Sequence, residues 1–430
     1  MILSVPQKIK EFIIQYVKTS QKKKLELLPA YISSFIFCSN KCTFTTMGKT
    51  IADEIRNKTT VRKFFESKSF YSREILRNVM TAMVLETIKL CGTKGLYVLL
   101  VDGTCIQRGG DTLVENATKY RDKKQKKKGK RSTKAHGFLM CLLIMPDGKR
   151  VCYEYSYNTK KYCKKHKLKF KTQHELMCDI IKDMRLIVPF EAKFVVVADS
   201  FFDSKEVFKC CMQNKAIYIV PADTNRVHKI HKKSEKLHIS GETKKKDSIR
   251  LSIEKGNEKY TCKHIRYASD GSGKKRKDEY LIYSESLMVS GMKLQVVYSW
   301  KKKKGKSEGE SYKVLLCSDK SISQEEIIEL YALRWQIEIF FRELKSELGL
   351  CDYSGKNFKA YNRFVDVCLL SYLFLEYDRE QRLMDVKSNK EKSKIKVMRT
   401  RGLVELLRWD CMQDIIAMRN LNNSKLKIAA

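Results

Sequence analysis

The amino-acid sequence predicts an α/β fold with a β-rich insertion, flanked by an N-terminal helical region and C-terminal helices. Three observations carry this. Short apolar runs, Leu96–Val101 and Phe194–Ala198 among them, alternate with helix-period segments between residues 96 and 221. From 222 to 322 strand-like runs follow one another across Lys-, Gly- and Ser-rich turns. Outside these limits, apolar residues recur at helical spacing without strand alternation.

In chain order, helices are expected at Ile9–Val17, Ile51–Phe65 and Ser72–Leu90. The first strand, Leu96–Val101, ends on Asp102-Gly103. A second runs from Gly137 to Ile144, and Pro146-Asp147-Gly148 turns into a third, Val151–Tyr157. A helix at His174–Met184 precedes a fourth strand, Phe194–Ala198, which ends at Asp199. Helix Ser204–Gln213 and strand Ala216–Val220 complete a β-β-β-α-β-α-β order with an acid at the tips of strands one and four. The insertion contributes runs at Ile249–Ile253, Tyr260–Tyr267, Glu279–Tyr283, Leu294–Trp300 and Tyr312–Cys317. Ser323-Gln324-Glu325-Glu326 has the capping-box pattern, and no Gly or Pro follows until Gly349, so one long helix is expected. Beyond it come an apolar helix, Ala360–Tyr377, a polar linker, Val386–Lys396, and a last helix, Val397–Arg419.

Charge narrows the function. The 430 residues hold 87 Lys and Arg against 49 acids, a formal net charge of +38, which attracts polyanions and nucleic acid first. With 43% hydrophobic and 10% aromatic residues, the chain is a folded basic protein rather than a basic tail. The charge is clumped at Lys123–Arg131, Lys244–Lys246, Lys274–Lys277 and Lys301–Lys304, each read as a loop suited to phosphate-backbone contact. Fifteen scattered cysteines form no disulfide framework, the start of the sequence lacks a secretory pattern, and no apolar run spans a bilayer. A reducing, cytoplasmic setting without membrane attachment is expected. Cys163 with His166, and Cys262 with His264, match no zinc-ligand spacing well.

The densest chemistry stands on the long helix. Tyr331, Arg334, Glu338 and Lys345 fall at intervals of three, four and seven residues, which an α-helix gathers into an arc of roughly 60°. A solvated face with ordinary i,i+4 pairs would carry the same spacing. Leu330, Leu333, Ile337, Phe340, Phe341, Leu344 and Leu348 fill an adjacent apolar arc, while Arg342 and Trp335 project near the polar column. Asp102, Asp199 and Glu338 are candidates to converge on a pair of divalent ions, because hard oxygen ligands suit Mg²⁺ and two-metal phosphoryl displacement.

These features resemble the ribonuclease H-like catalytic domain of DDE transposases. Tyr331-x2-Arg334-x3-Glu338-x6-Lys345 is similar to the Y-R-E-K signature of insertion-sequence transposases of group four and its relatives, and the resemblance covers about residues 96–377. It implies that Asp102, Asp199 and Glu338 hold two Mg²⁺ ions, with Mn²⁺ able to substitute, and that Tyr331, Arg334, Lys345 and Arg342 contact DNA phosphates. Trp300 is the candidate for stacking a flipped base, with Trp335 its rival. Around Asp199 the chain reads Ser200-Phe201-Phe202 where relatives often carry a small or basic residue and then Gly. The implied organisation is a helical DNA-binding unit (1–92), a core in two parts (93–221 and 323–378), the insertion (222–322) and a C-terminal helical region (379–430). Implied partners are double-stranded DNA, as element ends and target, and a second copy of the chain on paired ends. The implied place is the cytoplasm, on the nucleoid when bound to DNA. An inactive or domesticated DNA-binding derivative, or another two-metal nuclease of the same fold, are the alternatives.

Overall fold

The computed structural model describes residues 2–17, 22–38, 41–108, 114–120, 133–223, 227–230, 233–236, 259–266, 274–301 and 312–428. Its N-terminal helices are α1 (Gln7–Tyr16), α2 (Lys22–Phe37), α3 (Phe44–Met47), α4 (Lys58–Glu66) and α5 (Ser72–Cys91). The expected helix at Ile51–Phe65 is thus helical in regular α form only from Lys58, where the Asn57 side chain accepts from Thr60 N. Helix α2 had no counterpart in the sequence reading. Its lysine-rich start and internal Pro29 obscure an otherwise apolar stretch.

Twelve strands among the described residues join one sheet. They are β1 (Leu96–Gln107), β2 (Thr118–Tyr120), β3 (Thr133–Ile144), β4 (Arg150–Ser156), β5 (Lys193–Ala198), β6 (Ile217–Pro221), β7 (Val227–Ile230), β8 (Lys233–Lys236), β9 (Lys259–Arg266), β10 (Lys274–Val289), β11 (Met292–Lys301) and β12 (Tyr312–Cys317). The centre is a mixed sheet. Strand β1 lies antiparallel to β3 and parallel to β5, and β5 lies parallel to β6. Tyr97–Val101 is wholly buried, as a strand covered on both faces requires. Strand β12 then pairs antiparallel with β6, so the insertion's β11 and β10 extend the same sheet.

Four further expectations are corrected. The first strand does not stop at Asp102 but continues to Gln107, because β3 is long enough to pair it down to Gln107↔Ala135. Lys274–Lys277 are not a loop but the start of β10, paired with Lys263–Arg266. Residues 386–396 are not an unstructured linker: 389–397 form a helix, and Arg379 Nη1 donates to the carbonyls of Ile395 (2.9 Å) and Met398 (2.7 Å) at its end. The expected single helix from Ser323 to Gly349 is two. The run Ile249–Ile253 and the basic blocks 123–131, 244–246 and 302–304 lie outside the described residues.

Connecting helices α6 (Lys160–His166), α7 (Gln173–Arg185) and α8 (Lys205–Gln213) begin at side-chain caps, Thr172 and Glu175 forming a full capping box on α7. After β12 come α9 (Gln324–Ala332), α10 (Trp335–Ser346), α11 (Phe358–Asp385), α12 (Asn389–Val397) and α13 (Thr400–Ile428). Helix α11 is the hub: its side chains from Phe364 to Asp378 are buried without a break. It packs against α2, α5 and β4, so one continuous apolar core runs from the N-terminal helices into the sheet. Buried ion clusters tie these layers. Arg73 on α5 reaches both Glu154 on β4 and Asp366 on α11, and Arg150 on β4 chelates Glu376.

Candidate active site

The site forms where the parallel pairing of β1 and β5 ends. Val101↔Ala198 is the last pair of that ladder, so Asp102 in β1 and Asp199 just past the end of β5 follow it side by side. Asp199 keeps an extended backbone (φ −82°, ψ 162°) and its Oδ1 accepts from Ser200 N at 2.7 Å, capping the one-turn helix Ser200–Phe202. Asp102 Oδ1 accepts from Gly103 N, also at 2.7 Å. Phe202 is buried beneath the turn while Phe201 is exposed.

Helices α9 and α10 bring the third carboxylate. Ser323 Oγ accepts from Glu326 N, but the Glu326 carboxylate turns to Lys193 Nζ (2.5 Å) instead of closing a capping box. The break between the helices is mild. Leu333 and Arg334 keep right-handed helical backbone angles, and the amides of Leu333, Arg334, Gln336 and Ile337 bond three residues back. One tight turn therefore overwinds the helix in the middle of the polar column. Gly349 (φ 62°) follows the end of α10, as expected of a C-terminal stop.

The column survives the break and lies along β1. Arg334 Nη1 is 3.5 Å from Asp102 Oδ2, and its Nη2 is 2.5 Å from Glu338 Oε1. Two residues along β1 on the same face, Thr104 Oγ1 accepts from Lys345 Nζ at 2.7 Å. Tyr331 covers the other side of Arg334, with the guanidinium 6.0 Å and Lys313 Nζ 5.2 Å from its ring centroid. Thr104 and Lys313 were missed in the sequence. Alternation along β1 puts Thr104 on the face of Asp102, a signal that was available; Lys313 reaches Tyr331 only through the tertiary fold.

The electrostatics are those of a crowded acidic cluster held by cations. Burial pushes the Asp102 carboxyl up to about 6; Asp199 and Glu338 add to the rise, while the Gly103 amide and Arg334 oppose it. Burial likewise raises the Tyr331 hydroxyl, with Asp199 and Glu338 pushing the same way against Arg334. All three acids thus act on one another or on Tyr331 through space. Among the described residues, no three or more His, Cys, Asp or Glu side chains are spaced to hold a metal ion as they stand. The donor chemistry nonetheless fits a hard divalent cation: three carboxylates, two of which already draw in a guanidinium as counter-charge.

Other expected contacts fall nearby or beyond. Arg342 and Trp335 are exposed on α10. Trp300 pairs with Tyr312 across β11 and β12, and its side chain lies outside the described residues. Cys163 Sγ contacts the Lys169 carbonyl and His166 contacts Glu115, so that pair has other partners.

The chain belongs to the transposase DDE domain family, whose family model matches residues 93–374, well over half of the 430. The matched stretch starts just before β1, takes in the insertion strands and α10, and ends within α11. A transposase-type function follows from that membership. No curated protein sequence matches the chain. No helix among the described residues is long and apolar enough to cross a membrane.

Proposed function

We propose that this protein is a cut-and-paste DNA transposase of the Y-R-E-K insertion-sequence type, with a ribonuclease H-like core that binds the inverted-repeat ends of its element. The observation that carries the reading is the bridge of Arg334 between Asp102 and Glu338, with Asp199 beside Asp102 at the end of the β1–β5 ladder, within a family whose chemistry is strand cleavage and joining. Asp102, Asp199 and Glu338 would hold two Mg²⁺ ions. When bound, Mg²⁺ supplies charge neutralisation on the scissile phosphate and lowers the pKa of the attacking hydroxyl group.

The chain's own residues do the positioning. Arg334 and Lys345 offer a fork and a point charge to phosphate oxygens beside the scissile bond. Thr104 keeps Lys345 extended along β1, so little side-chain freedom is lost on binding. Tyr331, half-buried under Lys313, walls one side of the site and limits water access. Arg342 extends the cationic track on α10. The net charge of +38 supports double-stranded DNA as the partner. A homodimer on paired ends, working on the nucleoid in the cytoplasm, and an N-terminal DNA-binding role for residues 1–92 come with the resemblance.

The experiment is incubation with Mg²⁺ and DNA carrying the element's own ends. End cleavage followed by joining of 3′-hydroxyls to target DNA supports the reading. Binding without cleavage would point to an inactive derivative, and cleavage without joining to a different nuclease.

A further inference from the structure

Asp102 belongs to two carboxylate pairs. It lies beside Asp199 at the end of the β1–β5 ladder, and it shares Arg334 with Glu338. Beside the first pair, Ser200 donates to Asp199 Oδ1 and the Gly103 amide to Asp102 Oδ1, while Arg334 touches Asp102 at Oδ2. The second pair is bridged, because Arg334 touches Asp102 Oδ2 with one nitrogen (3.5 Å) and Glu338 Oε1 with the other (2.5 Å). Any ion shared by Asp102 and Glu338 has to lie between them, where the guanidinium now sits.

The bridge is well held. Arg334 stands on the overwound turn between α9 and α10, its side chain is only 16% exposed, and the Tyr331 ring flanks it. The guanidinium and a divalent ion cannot both occupy the space between these two carboxylates, and their like charges repel across it. Arg334 therefore has to leave before that ion enters. A phosphate offers it a bidentate partner of the same geometry as a carboxylate.

We propose that Arg334 excludes a divalent ion from the Asp102–Glu338 pair in the DNA-free protein, and that a DNA phosphate releases this block by drawing the guanidinium away. The inference rests on the reading of Asp102, Asp199 and Glu338 as metal ligands. Its consequence is an order of assembly: the Asp102–Glu338 pair fills once DNA is in place. Full metal loading is then confined to the DNA-bound protein.

The test uses the full chain without DNA, titrated with Mn²⁺ while electron paramagnetic resonance counts the unbound ion. Arg334→Gln is expected to bind one more Mn²⁺ than the unsubstituted protein, or to bind the same ion at least about tenfold more tightly, because a neighbouring positive charge has gone. Adding Glu338→Gln to that variant should cancel the gain. Thermal unfolding verifies that each variant is folded. Arg334→Gln binding Mn²⁺ no better than the unsubstituted protein, or a gain that survives Glu338→Gln, would overturn the proposal while leaving the metal reading intact. If neither protein binds Mn²⁺ more tightly than an Asp102→Asn variant does, the metal reading falls and the proposal with it.

Discussion

Asp102 and Asp199 follow directly on the last pair of a parallel ladder, Val101↔Ala198, so two acids 97 positions apart in the chain become neighbours across one strand spacing. The relationship depends on sheet register alone. A slip of one residue in β5 would turn Asp199 to the opposite face.

Asp199→Asn separates the structural role of this residue from its chemical one. The amide oxygen of Asn can still accept from Ser200 N and cap the following turn. The unfolding temperature should change by less than about 3 °C, which is what a fraction of a kcal/mol produces in a chain of this size. Divalent-ion-dependent cleavage should fall about 100-fold or more, because a metal ligand is lost. Calorimetry and single-turnover cleavage check the two halves separately.

Lys345 is held by Thr104, and its proposed partner is a DNA phosphate. Lys345→Ala should weaken binding of element-end DNA and lower the slope of log affinity against log salt by about one, as expected when one phosphate contact is removed. Filter binding across a salt series measures it. An unchanged slope would take Lys345 off the DNA.

The Arg73 cluster carries stability rather than function. Glu154 and Asp366 are both buried, and Arg73 joins them across three elements, with Ser72 Oγ donating to Asp366 at 2.6 Å. Arg73→Met leaves two buried acids without their cation and should cost about 3 kcal/mol. Arg73→Met with Glu154→Gln should recover part of that loss. Urea unfolding of the two variants reads the difference.

His136 predicts a pH dependence. It is buried against Phe358 and Tyr361, its Nε2 donates to the Glu115 carbonyl at 2.7 Å, and burial holds its pKa down at about 4 from an ordinary value of 6.5. The folded protein keeps it neutral, so protonation favours the unfolded chain. Its contribution to stability is full above pH 6.5 and is lost as the pH falls from there to about 4, a change on the order of 3 kcal/mol. His136→Gln should flatten that part of the stability profile between pH 7 and 4.

Much of the core was legible because its signals are local. The buried runs of β5 and β12 and the Pro146-Asp147-Gly148 turn each depend on residues adjacent in the chain. What escaped depends on distant partners. β1 continues past Asp102 because β3, some forty residues on, is long enough to pair with it. The break at Leu333–Arg334 has no Gly or Pro to announce it and exists only as a shift from i−4 to i−3 hydrogen bonds. Helix α12 reads as polar linker until Arg379, more than ten residues upstream, is seen to satisfy its last carbonyls. The polar column was visible as a spacing on one helix; that Arg334 and Lys345 lie against Asp102 and Thr104 of β1 required the fold.

In the proposed mechanism Glu338 completes a metal-binding triad with Asp102 and Asp199. Single-turnover cleavage of element-end DNA in Mg²⁺, compared between the unsubstituted protein and Glu338→Gln, tests it most directly. The variant should bind the DNA and stay folded but cleave at least about 100-fold more slowly. Cleavage by Glu338→Gln at the full rate would contradict it.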